Sequence, residues 1–140
     1  MSIDLVRGKE YLSLTVYVWA EVLKFARLNG WKPMGTLPAE EADEEERSAW
    51  DGNYVLNGNQ RVQDADARAL ASALERGLPD LPNAYAAGHR AVTEGPEDQP
   101  TRILVPVGAP ISPIEALSGP NKAAIRELIA FCRTGGFEIQ

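Results

Sequence analysis

The sequence predicts a mainly α fold, a compact single-domain helical bundle of three to five helices with short extended segments. Three observations carry that prediction. Apolar residues recur at helical spacing in three segments, each bounded by residues that start or stop helices. A strand-like run, Ile103-Leu104-Val105-Pro106-Val107, contains a proline whose missing amide hydrogen confines it to an edge or an extended segment. The chain has 140 residues, 44% of them hydrophobic, which suffices for one core at the commonest domain size. Residues 1–140 are therefore read as one globular domain with an acidic loop at 39–49.

Ser13 to Asn29 is the clearest helix. Leu14, Val18, Trp19, Val22, Leu23, Phe25 and Ala26 fill one half of its wheel, and Glu21, Lys24 and Arg27 fall in the other. Ser13 is placed to cap its start. Asn29-Gly30 is placed to end it in the left-handed conformation, with Trp31 packing back on the last turn. Lys32 to Pro38 is a turn-rich connection, followed by Glu40-Glu41-Ala42-Asp43-Glu44-Glu45-Glu46. That acidic run repels itself and reads first as a solvated loop or frayed helix, and second as a recognition patch. Trp50 to Gln60 mixes aromatics with turn formers, and its Asn57-Gly58 is a type I′ turn signal; an irregular loop fits as well as a hairpin.

The second helix runs from Asp64 to about Leu78, with Ala67, Leu70, Ala71, Leu74 and Leu78 in one stripe. Asp64 and Asp66 lie at its start, where the helix dipole favours anions, and Gly77 and Pro79 mark its end. Pro82 to Val92 reads as a weaker helix flawed by Gly88, and Thr93 to Pro100 as a polar loop. Ser112-Pro113-Ile114-Glu115 opens a short helical turn. The last helix spans about Pro120 to Thr134, its stripe formed by Ile125, Leu128, Ile129 and Cys132. Gly135-Gly136 stops it, and Phe137 and Ile139 fold back as an extended pair. Val18, Val22, Phe25, Leu70, Leu74, Ile125, Leu128 and Ile129 should share one core.

Composition excludes several classes. A single Cys closes no disulfide within the chain. The formal charge of −6 offers no basic surface for counterion release, so no nucleic-acid partner is expected. The most apolar stretch, Tyr11 to Leu28, is interrupted by Glu21, Lys24 and Arg27, each costing about 2.5–3.5 kcal/mol at the centre of a membrane helix. No membrane partner is expected, and no secretory signal is visible. The expected compartment is the cytoplasm, with the thiol reduced. Charge is uneven, since residues 39–60 hold one base against seven acids.

Chemical motifs are few. Cys132 sits in an apolar stripe, where a thiol acts as a small hydrophobe, and its only candidate base is the distant His89. No Gly-x-Ser-x-Gly elbow presents a serine. One His and one Cys make no zinc site, and calcium-loop registers from Asp51 or Asn53 place Val55 where an oxygen ligand is required. Phosphate-binding glycine loops are absent, so neither cofactor nor metal is expected. Asp64 and Asp66 read as helix-start acids. The remaining feature, Trp50-x-Gly52-x-Tyr54-x-x-Asn57-Gly58, is either a lid over the core or a partner anchor.

Gly30-Trp31-Lys32-Pro33-x-Gly35-Thr36, the Trp50 to Gly58 motif, Val62 to Glu75 and Phe131-Cys132-Arg133-x-Gly135-Gly136-Phe137-x-Ile139 together resemble a family of small uncharacterised bacterial proteins. The resemblance spans most of the chain and implies no catalytic residue. In that family a Ser or Asp-like cap is expected where Gln63 stands, which leaves the start of the second helix uncertain by a residue or two.

The functional expectation is a small acidic cytoplasmic protein-binding module, with an immunity-type inhibitor of a basic partner protein as one form of it. Glu44, Glu45, Glu46, Trp50, Tyr54 and Asn57 are its candidate contacts. The alternatives are a structural homodimer whose aromatic loop covers its mate, and a small enzyme using a buried carboxylate, Asp66 near Tyr54 and Arg61.

Overall fold

The computed structural model describes residues 2–83, 89–94, 101–106 and 112–140. It corrects the helical-bundle expectation. The architecture is α+β, with a four-stranded antiparallel sheet covered on one face by helices. The chain begins with a hairpin of β1 (Ser2–Arg7) and β2 (Glu10–Thr15), then enters α1 (Val16–Leu28). The short α2 (Glu44–Ala49), β3 (Gln60–Val62) and α3 (Asp64–Gly77) follow. A separate hairpin, β4 (His89–Glu94) with β5 (Thr101–Pro106), precedes α4 (Pro113–Ala116), α5 (Pro120–Arg133) and β6 (Phe137–Ile139). The main sheet runs in the order β2-β1-β6-β3.

The first hairpin follows from local chemistry that a helical reading passes over. Ile3 and Leu5 are buried and alternate with the less buried Ser2, Asp4 and Val6, as the period of a half-buried strand requires. Arg7 pairs with Glu10, leaving Gly8-Lys9 as a two-residue loop. The positive φ falls on Gly8 at +61°, the first loop position, as a type II′ turn demands. Leu14 therefore enters the core from a strand. The helix starts later, at Val16, with Thr15 rather than Ser13 as its cap; the Val18 amide donates to Thr15 Oγ1 at 3.0 Å.

The end of α1 matches its sequence signal. Gly30 has φ +94°, its amide donates to the Arg27 carbonyl at 3.2 Å, and the Trp31 amide reaches the Ala26 carbonyl at 2.9 Å. That paired closure lays Trp31 back on the helix. The predicted core also forms: Val18, Val22, Phe25, Leu70, Leu74, Ile125, Leu128 and Ile129 lie in one cluster with the strand residues Ile3, Leu5, Val62, Phe137 and Ile139. Cys132 is fully buried there, and burial pushes its thiol up to about 12.

Other expectations change. Pro82 to Val92 is not a helix where it is described, since His89 onward is strand β4 in register with β5. Residues 84–88 of that segment, residues 95–100 of the expected polar loop and Val107 lie outside the described residues. Asn57-Gly58 makes no type I′ turn; the positive φ sits on Asn59, at 62°. Gly136 is required for close approach, because a Cβ there would lie 2.2 Å from the Val62 carbonyl oxygen. Arg7 joins the sheet to α5: its guanidinium donates to the Phe131 carbonyl at 2.8 Å and lies 4.3 Å from the centre of the Phe131 ring.

Candidate functional site

The acidic run becomes the six-residue helix α2, in which no residue is buried. Asp43 caps it, accepting from the Glu46 amide at 2.8 Å. Glu44, Glu45 and Glu46 occupy its first turn, where the dipole favours anions, and all three are exposed. Arg47 folds back onto the preceding loop and donates to the Ala42 carbonyl at 3.0 Å and the Glu40 carbonyl at 2.7 Å. Trp50 ends the segment half-buried, its indole nitrogen donating to the Thr36 carbonyl at 2.9 Å. These bonds hold the glutamates on an ordered projection.

Tyr54 lies in the core. It is 5% exposed, and its ring meets Trp31 edge-on at 5.2 Å between centroids. Its hydroxyl donates to Asp66 and accepts from the Gly35 amide at 2.9 Å. Trp19 donates to its carbonyl at 2.7 Å. Burial, reinforced by Asp66, raises the Tyr54 phenol well above its ordinary value, so it remains a proton donor across the neutral range.

Asp66 is fully buried and also receives the Trp31 indole at 3.0 Å and the Met34 amide at 3.3 Å. Four sequence segments thus close on one carboxyl: the end of α1, the 33–35 turn, the aromatic loop and the first turn of α3. Asp64, two residues earlier, does different work and accepts from the Gly136 amide at 2.7 Å.

This arrangement is sealed. Asp66 has no solvent-facing surface, and its oxygens are taken up by protein donors, so a substrate has no approach to it. Arg61 is not part of it; that side chain donates to the Pro38 carbonyl and lies 3.8 Å from Glu40. Tyr54 and Asp66 therefore form a structural clasp that fixes the loop above them. Among the described residues no three His, Cys, Asp or Glu side chains converge as metal ligands would, and no helix is long and apolar enough to cross a membrane.

The loop beyond Tyr54 presents what the sequence reading overlooked. Val55 and Leu56 are 60% and 56% exposed, and both amides are held by the Asn53 carboxamide oxygen, at 3.2 and 3.0 Å. Gln60, wholly buried, accepts from the Gly58 amide at 2.9 Å and donates to the Leu56 carbonyl. Asn57 is exposed at the tip. Val55 also lines a groove of about 520 Å³ between α1 and the two loops, together with Leu23, Pro33, Met34 and Tyr54. Lys24 and Arg27 stand on its α1 wall and Asp51 on the loop wall. A clue lay in the Tyr-Val-Leu-Asn run: once Tyr54 is drawn inward, the turn that follows leaves two aliphatic side chains outside. A second groove, of about 690 Å³, lies along the sheet between Arg7, Arg61 and Glu138.

Compared with models of protein families, with curated protein sequences and with solved structures, the chain matches none.

Proposed function

We propose that this chain is a protein-recognition module that binds a basic partner protein, as an immunity-type inhibitor would, through residues 43–60. The observation that carries the reading is the pair Val55 and Leu56, held outside the core on a loop anchored from below. Two exposed aliphatics on a pinned loop cost solvation and contribute nothing to the core, but they make a preorganised apolar anchor. The acidic helix α2 supplies the charged border of the same stretch. It buries nothing and concentrates like charge, and it is nonetheless capped at its start by Asp43 and tied at its end through Trp50 to Thr36. Such a border steers association and selects a cationic partner. Trp50 and Tyr54 serve this surface from beneath it, as a lid and a clasp. Asn57, with Glu44, Glu45 and Glu46, faces outward. The setting we propose is the cytoplasm.

The test is association kinetics with a basic protein recovered by affinity capture on this chain, at about 50 and about 300 mM salt, where screening differs strongly. Replacing Glu44, Glu45 and Glu46 by Gln should slow association and weaken its salt dependence, leaving folding stability nearly unchanged. Leu56→Ala should raise the dissociation rate instead. Association that ignores salt and both changes would refute the reading.

A further inference from the structure

The two edges of the main sheet are finished differently. At one edge β3 is short and already covered: Leu37 exchanges both backbone hydrogen bonds with Arg61, each at 2.8 Å. At the other edge, among the described residues, β2 pairs only with β1, over six residues in unbroken register. The direction of its remaining backbone groups can be worked out. Asp4 exchanges both of its bonds with Gln140 beyond β6, at 2.9 and 2.8 Å, so its amide and carbonyl point away from β2. Ser13, opposite Asp4, is then a non-hydrogen-bonded partner, and its own amide and carbonyl point outward. Tyr11 shares that parity. No described residue hydrogen-bonds to the backbone of either.

Free edges are usually guarded by a proline, a bulge or a charge. Apart from Glu10 at its start, β2 has none of these, and Tyr11 is 71% exposed. We infer that β2 is a self-association edge, whose partner is β2 of a second copy in antiparallel pairing. The inference rests on this edge alone and is independent of residues 43–60. Charge does not oppose a second copy at this place: the chain's acids concentrate at 39–60, away in sequence from β2, whose one charged residue is Glu10.

A twofold axis at Leu12 puts Leu12 against its own counterpart, Tyr11 against Ser13 and Glu10 against Leu14, with no like charges opposed. Both Tyr11–Ser13 pairs then exchange backbone bonds, and the two sheets become one.

Light scattering on a sizing column over rising micromolar concentrations should show a species of twice the 15.2 kDa chain mass. Ser13→Pro removes an outward amide while sparing the bonds between β1 and β2, so it should abolish that species with the far-ultraviolet dichroism unchanged. Amide exchange on the unaltered chain provides a measurement that no folding defect can blur. The Tyr11 and Ser13 amides should exchange fast in dilute protein and slow down as concentration rises. A chain that stays monomeric throughout, or a dimer in which these two amides gain no protection, would overturn the inference.

Discussion

Tyr54→Phe removes one oxygen atom and leaves every apolar contact of the ring in place, including the edge-on contact with Trp31. Two hydrogen bonds go with that oxygen. Asp66, fully buried, loses a donor it cannot replace from water, and the half-buried Gly35 amide loses its acceptor. A buried polar group left unpaired costs about 1–3 kcal/mol. Asp66 should incur most of that cost and Gly35 a smaller part, giving a loss of about 2–4 kcal/mol in all. Urea unfolding followed by tryptophan fluorescence measures it, and an unchanged slope would confirm that only the folded state was altered. A cycle with Asp66→Asn should be non-additive by more than about 0.5 kcal/mol, because the two side chains share a bond. A loss below about 0.5 kcal/mol for Tyr54→Phe would refute the clasp and release the loop from its proposed anchor.

Two further predictions concern the core. Leu74→Ala should cost about 2–5 kcal/mol in urea unfolding, since Leu74 is fully buried in the shared core. Alkaline stability should be limited by Cys132 and Tyr54. Both are raised in the folded chain, so folding favours their neutral forms. The Cys132 contribution is fully present below its ordinary value of 9.0 and is lost as pH climbs toward about 12. Tyr54 acts in the same direction above its ordinary 10.0. Urea midpoints measured at rising pH should therefore fall beyond pH 9, and Cys132→Ala should flatten the early part of that decline.

Some of this molecule could be read from the chain alone. The stripes of α1, α3 and α5, the glycine stop at Gly30 with Trp31 folded back, and the burial of Cys132 are local consequences of helical period and capping. Each needs only neighbours within a turn or two, so sequence spacing determines it. The sheet was different. Its order β2-β1-β6-β3 joins the first residues to the last, and three-residue strands such as Gln60–Val62 and Phe137–Ile139 carry too little pattern to announce themselves. Only pairing with distant partners makes them strands.

The same holds for the loop. Tyr54 and Asp66 stand twelve positions apart in the sequence, as an aromatic and a helix-start acid. What drew both inward was a cluster of donors from Trp31, just past α1, and the 33–35 turn, which no spacing rule connects. Once Tyr54 was committed to the core, the turn held by Asn53 put Val55 and Leu56 outside. The sequence by itself determined which residues were apolar enough to be buried; the tertiary structure decided which were left out, because burial is a property of the neighbours that arrive.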